Sequence, residues 1–266
     1  MRIYRYILPV LLLAPLTLRA QEQTDRDSFT WSGRVPAGRW IRVQNLNGPL
    51  TVTEASGDKV EVRATKHWRR GNPADVRIET TKYGPGDENV IVCALWGANA
   101  RCDENGYHSN RGDRGMRNND VSVSFVVAVP KGVKVGVGTV NGGVHVEGMT
   151  EQVEASSVNG EVDVNTTGGP VDATSVNGSV LARVGKVTSN DDMNFTTVNG
   201  SVIAEFAGEV NADVELSTVN GGLRTDYEIV VSGRLDPKHL RAHIGKPGGP
   251  KITLTTVNGS VELRRR

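Results

Sequence analysis

The tripeptide Leu/Val-Asn-Gly occurs seven times in this chain, at Asn47-Gly48, Asn141-Gly142, Asn159-Gly160, Asn177-Gly178, Asn199-Gly200, Asn220-Gly221 and Asn258-Gly259. Successive asparagines are 94, 18, 18, 22, 21 and 38 residues apart. A unit that recurs at a near-constant period in sequence recurs in space. The 38-residue step holds either two units or one unit with an insertion. With each asparagine as position zero, positions −6, −4, −1, +3 and +5 are apolar in every unit, with the single exception of Thr225. Around Asn177 they are Val171, Ala173, Val176, Val180 and Ala182. Alternation with period two on each side of the Asn-Gly pair is the signature of strands, and the Val, Ile and Thr content suits a pleated surface.

Each unit therefore reads as strand, Asn-Gly turn, strand. Glycine accepts positive φ without penalty, and asparagine is the next most tolerant residue. Positions −4 and −1 are an odd distance apart and cannot both face inward on one regular strand. Either a bulge or corner sits at the Ser/Thr-rich −3 and −2 positions, or the −1 residue faces the other side, as in a two-residue hairpin. The expectation is an all-β fold, a β-solenoid with about 18–22 residues per rung,. An antiparallel hairpin meander or sandwich is the alternative. Recurrence of equivalent residues favours the solenoid, because like then stacks on like. On this reading Val176, Val198 and Val219 occupy equivalent inward sites.

The N-terminus carries Arg2 and Arg5, an apolar run from Ile7 to Leu18 broken by Pro9 and Pro15, and Ala20. That is the pattern of a secretory signal, too short for a good membrane span. Residues 1–20 are expected to be removed and 21–266 to form one β-repeat domain outside the cytoplasm, periplasmic, secreted or at the cell surface. Cys93 and Cys102 suit that compartment as a disulfide,. The net charge of +1 implies no strongly charged partner.

Residues 67–120 interrupt the repeat with strand-like runs (Val76 to Thr80, Val90 to Leu95, and Val121 to Val129 just beyond) and Gly/Asn/Arg-rich loops,. The loop from Asn105 to Asn119 contains Arg111-Gly112-Asp113, an adhesion-type tripeptide that such a composition also produces by chance,. Lys66-His67-Trp68-Arg69-Arg70 reads as a solvated strand end, and export argues against nucleic acid,. A second insertion, 226–249, contains Asp236-Pro237 followed by KHLRAH and Gly245, which predicts a short helix,. His239 and His243 would share a face of it, but Leu240 stands where a metalloprotease needs glutamate, and two histidines make an incomplete metal site,. Glu154, Glu161, Asp163 and Asp172 read as a solvated outer face. No cofactor is implied.

The segments WIRVQNLNGPLTV, VSVSFVVAVPKGVKVGVGTVNGGVHV and ITLTTVNGSVELRRR resemble the bacterial putative-adhesin β-strand-repeat family, a domain of unknown function. The resemblance covers most of Thr30 to Arg266. It implies a β-repeat fold in an exported protein and supplies no catalytic residues. Two functions follow from different classes. One is a noncatalytic envelope scaffold or binding module with a protein or polysaccharide partner. The other is a carbohydrate-active enzyme, a lyase or hydrolase, on a β-helix. Outer positions rich in Ser, Thr and Gly, with 5% aromatic residues, favour the first.

Overall fold

A computed structural model describes residues 21–24, 27–104, 106–108, 119–187, 191–231, 236–246 and 248–266. The expected signal segment 1–20 and the Arg111-Gly112-Asp113 tripeptide lie outside the described residues. The described fold is all-β, with two eleven-stranded sheets and one two-stranded sheet. The first sheet has the spatial order β1 (Gln21–Thr24), β2 (Ser28–Gly33), β5 (Val60–His67), β10 (Ser122–Val129), β4 (Leu50–Glu54), β12 (Val144–Met149), β14 (Val162–Thr166), β16 (Val180–Val184), β18 (Val202–Phe206), β24 (Val261–Arg265) and β20 (Leu223–Thr225). The second has the order β21 (Val230–Val231), β22 (His239–Ile244), β19 (Ala212–Asn220), β23 (Lys251–Asn258), β17 (Met193–Asn199), β15 (Val171–Asn177), β13 (Val153–Asn159), β11 (Lys134–Asn141), β3 (Trp40–Gln44), β7 (Asn89–Trp96) and β6 (Val76–Tyr83). A small hairpin joins β8 (Arg101–Asp103) to β9 (Gly106–His108).

Each Asn-Gly pair joins a strand of the second sheet to a strand of the first, so the two strands that flank it do not pair with each other. They pair in parallel with the same strands of neighbouring units. Val153 lies beside Val171, Asn159 beside Asn177, and Val162 beside Val180. The hairpin geometry considered for the turn is therefore not what forms. Inward positions −6 and −4 of the second sheet face inward positions +3 and +5 of the first, and Val171, Ala173, Val180 and Ala182 are all fully buried. Small Val and Ala suit two sheets packed about 10 Å apart. Phe195 and Phe206 meet edge to face at 6.4 Å across this layer.

The −1 valines correct the expectation. Val176 and Val198 are 39% and 38% exposed, and Val219 is 61% exposed. The residue that points in is −2: Ser157, Ser175, Thr197, Thr218 and Thr256 are buried. Positions −6, −4 and −2 thus keep strict period-two alternation, with no bulge.

The 38-residue step holds one unit with an insertion, and the units do not stack in chain order. The last unit, β23 and β24, sits between the Asn199 and Asn220 units, pairing with β17 and β19 in one sheet and with β18 and β20 in the other. The insertion at 67–120 is also more regular than a loop. It supplies β6 and β7, and β7 is buried along its whole length. One side of β7 joins the main core, while Ile91, Cys93 and Leu95 pack with Ala100 under the small hairpin. Antiparallel β1, β2 and β5 extend the first sheet beyond β10 at the same end. Strands there pair edges that a parallel stack would otherwise leave open.

The expected helix at 236–245 is strand β22, antiparallel to β19. Leu240, Ala242 and Ile244 alternate inward, and a half-buried sheet edge rewards that pattern more than a short helix would,. The residues that looked like caps make turns instead. The Asp236 carboxylate accepts the Lys238 N–H at 2.8 Å, and Gly245 ends the strand at φ 65°.

Candidate binding surface

The repeated motif is a set of backbone and side-chain ladders. Asn159, Asn177 and Asn199 each donate an amide N–H to the preceding asparagine at 2.8–2.9 Å. Asn258 donates to Asn199, and Asn220 to Asn258, both at 2.8 Å. Asn47 instead donates to the Val121 carbonyl at 2.9 Å. A second ladder lies beneath. The hydroxyls of Thr139, Ser157, Ser175, Thr197, Thr256 and Thr218 donate to the carbonyls of Gly48, Gly142, Gly160, Gly178, Gly200 and Gly259 at 2.7–3.0 Å. In the first unit Asn45 takes this place, donating to the Val123 carbonyl of the neighbouring strand at 2.8 Å and to the Gly48 carbonyl of its own unit at 3.0 Å.

These contacts explain the glycine. A Cβ at Gly160, Gly178 or Gly259 would lie 2.0–2.1 Å from the carbonyl oxygen of the neighbouring unit's glycine. Close approach of backbones excludes a side chain there, whereas positive φ, the reason read from sequence, is absent at Gly160, Gly178 and Gly221,. Sequence reasoning missed the role of position −2. Its signal was visible: Ser or Thr fills it in every unit but the first.

The outer face of the second sheet presents aligned columns. Val158, Val176, Val198 and Val257, at 37–39% exposure, line up with Val219 beside the asparagine ladder. Ser156, Thr174, Thr196, Thr255 and Ser217 form the next column at −3. Adjacent members are one strand spacing apart, about 4.8 Å.

At the β3 end this face carries an aromatic and basic group. The Arg42 guanidinium lies 4.3 Å from the Trp40 ring centroid and the Lys134 ammonium 5.5 Å from it. Arg42 donates through Nε to the Tyr83 hydroxyl at 3.0 Å and through Nη1 to Glu154 at 2.7 Å. To reach Glu154 it crosses β11 at Gly136, where a Cβ would stand 2.7 Å from Nη1. Partial burial disfavours its charge, but the hydrogen bonds and charges of Glu154 and Tyr83 outweigh that and raise its pKa above the ordinary value. Burial in turn pushes the Tyr83 phenol up, against the pull of Arg42.

The acidic residues assigned to a solvated face are mostly tied across units. Glu154 holds Arg42, and Asp172 accepts the Asn194 backbone and side-chain N–H groups at 3.0 and 3.1 Å. On the first sheet Asp163 contacts Arg183 at 2.9 Å and His145 at 3.4 Å, while Glu205 contacts Arg183 and Arg264. Glu161 is exposed. In the 66–70 segment Lys66 is buried and donates to the Pro73 carbonyl at 3.1 Å, while burial lowers its pKa. The Asp120 carboxylate accepts backbone N–H groups of Arg69, Arg70 and Gly71, that of Gly71 at 2.7 Å, and these hold it below its ordinary value.

His239 and His243 point the same way from β22 but meet different carboxylates: His239 is 3.5 Å from Glu215, and His243 hydrogen-bonds Asp213. His243 also borders a cleft of about 710 Å³ with Tyr227, Arg265, Glu209, Asp226 and Glu228. Among the described residues no group of three or more His, Cys, Asp or Glu is placed to hold a metal ion. Cys93 and Cys102 form a disulfide. No described helix is long and apolar enough to cross a membrane.

No family model and no curated protein matches the chain. Among solved structures it is similar to a putative cell adhesion protein from Clostridium sporogenes, at 6% identity and a TM-score of 0.48, over 93% of this chain and all of that one. A putative adhesin from Bacteroides fragilis is similar at 12% identity and a TM-score of 0.37, over 91% of this chain and 98% of that one. A putative adhesin from Parabacteroides distasonis is similar at 12% identity and a TM-score of 0.29, over 90% and 97% of the two chains.

Proposed function

We propose that this chain is a noncatalytic, exported protein of the cell envelope, an adhesin-like scaffold in which a β-solenoid holds out a face for a protein or polysaccharide partner. The observation that carries this reading is the outer face of the second sheet. Valine and Ser/Thr columns run beside the asparagine ladder across the stacked units, and the Trp40, Arg42 and Lys134 group stands on the same face at the other end of β3 and β11. Such a surface offers a partner apolar contact, hydroxyls and an aromatic anchor on one face. The Asn-Gly pairs have a sufficient structural role in the ladders and need no chemical one. Residues 1–20 act as the export signal and 21–266 as the mature domain, and the Cys93–Cys102 bond suits an oxidising compartment,. No cofactor, nucleic acid or membrane span after cleavage enters the reading.

The test is a pull-down of envelope proteins and polysaccharides with the mature domain, alongside a turnover screen on the same materials. Capture that weakens in Trp40→Ala and in Val176→Asp, without turnover, supports the proposal. Turnover by the wild type that disappears in His243→Ala replaces it with the enzymatic reading, centred on the cleft beside the His243–Asp213 pair.

A further inference from the structure

The place of the C-terminal unit carries a consequence for assembly. Units consecutive in the chain stack from Asn47 to Asn199, but the Asn199 and Asn220 units do not pair with each other: β23 and β24 lie between them. The slot is specified on both walls. Asn258 donates to Asn199 and accepts from Asn220, each at 2.8 Å. Thr256 donates to the Gly200 carbonyl at 2.8 Å, and the Gly259 carbonyl accepts from Thr218 at 2.9 Å. The Ser260 and Ser201 hydroxyls meet at 3.1 Å, Lys251 reaches Glu215 at 2.7 Å, and Arg264 reaches Glu205 at 3.3 Å.

The unit joins β22 through a connection that includes Gly245 at φ 65° and Gly248 at φ 91°. This connection passes from one side of β19 to the other, two strand spacings or about 10 Å. It docks on Asn211, whose side-chain oxygen accepts the Lys246 N–H at 2.8 Å and would lie 2.3 Å from a Cβ on Gly245. Straightened at these glycines, it directs β23 and β24 away from their own slot. The walls left behind, the Asn199 and Asn220 units, carry the same asparagine, hydroxyl and glycine carbonyl as the other units after the first.

We infer that the slot between the Asn199 and Asn220 units accepts the C-terminal unit of a second copy of this chain, so that residues 251–265 exchange between molecules. The donated unit makes the same ladder contacts in trans as in cis. Only effective concentration separates the two forms, about millimolar for a short flexible connection. The closed monomer therefore dominates in dilute solution, and exchange is populated when the chain refolds at high concentration. This inference is independent of which partner the outer face binds.

The test uses the full mature chain with Ser201→Cys and Ser260→Cys, refolded across a concentration series up to about 1 mM, oxidised, and run on denaturing gels without reductant. The expected result is an intrachain bond in dilute samples and a covalent dimer in concentrated ones. The dimer-to-monomer ratio should rise about tenfold for a tenfold rise in monomer. Asn211→Ala should raise it further, because it loosens the connection without touching the slot. Ser201→Cys alone and Ser260→Cys alone should each give no covalent dimer, so that the dimer band of the double variant reports the 201–260 bridge. Intrachain bonding at every concentration overturns the inference. Sedimentation of the refolded wild type gives a reading that does not depend on the new cysteines, and monomer alone throughout overturns it as well.

Discussion

Thr197 and Val198 are neighbours in sequence and face opposite ways, the polar one in and the apolar one out. A hydroxyl can sit in the core because the neighbouring glycine carbonyl accepts from it, at 2.7 Å for Thr197. Sequence alternation read on hydropathy alone puts the valine inside. A buried hydrogen-bonded threonine counts as core only once its acceptor is known, and that acceptor belongs to another unit. Thermal or urea melts should therefore rank four substitutions. Val198→Asp should cost under about 1 kcal/mol, as an exposed change does. Thr197→Val, which removes one hydrogen bond at similar volume, should cost about 1 kcal/mol. Gly178→Ala should cost more than about 2 kcal/mol, since its Cβ would enter the Gly160 carbonyl,. Thr197→Asp, which buries a carboxylate, should be the worst at about 3–5 kcal/mol. Equal losses for Val198→Asp and Thr197→Asp would refute the facing assigned to them.

Among the elements, the strands flanking the Asn-Gly pairs were legible because period-two alternation survives in every unit, and the runs at 76–80, 90–95 and 121–129 became β6, β7 and β10. The strand β22 was not legible. Asp-Pro at one end and glycine at the other are shared by helix caps and by turns, and the edge of β19 decides between them. The Cys93–Cys102 bond ties β7 to the small hairpin. Replacing both cysteines by alanine should lower stability by roughly 2–3 kcal/mol in the chain-entropy account, and unreduced, denatured protein should show no free thiol by titration. Glu215 connects three strands, with Lys251 of β23 at 2.7 Å and Arg241 of β22 at 3.0 Å. The Lys251 hydrogen bond, then Arg241, holds its pKa below the ordinary 4.5. Glu262 is lowered in the same way, chiefly by Arg264. As pH falls, the unfolded chain takes up these protons first. The stability the two carboxylates supply is complete above the ordinary carboxylate range and is lost as pH falls through the lowered folded values. Melting temperature measured from pH 6 to about pH 3 should decline, and Glu215→Gln should make the decline shallower. An unchanged slope would remove Glu215 from the account.

At the scale of the whole molecule, the repeat announces that units stack but not in which order. Every unit after the first presents an asparagine, a Ser or Thr hydroxyl that donates to one side and a glycine carbonyl, so local sequence lets these units neighbour one another. The actual order places Asn258 between Asn199 and Asn220, with β22 standing in the chain between the last two units. The outer face was legible only in part for the same reason. The columns follow from the period, but the Arg42–Glu154 contact depends on β11 lying between their strands with a glycine at Gly136. Interchangeable units make a sharp prediction. Asn159 and Asn177 are 18 residues apart, one strand in each sheet. Deleting residues 160–177 joins Asn159 directly to Gly178, which restores the motif and sets β13 beside β17 and β12 beside β16. Stability in such a stack is close to a sum of units and their interfaces. The deletion should give a folded protein with one cooperative transition and a melting temperature lower by roughly 5–10 °C. Deleting residues 160–168 alone removes only part of that unit, breaks the alternation between sheets and should prevent folding. Circular dichroism melts of the two deletions decide the matter. If the full-unit deletion unfolds as completely as the partial one, the units are not interchangeable and the order of the stack is encoded within them.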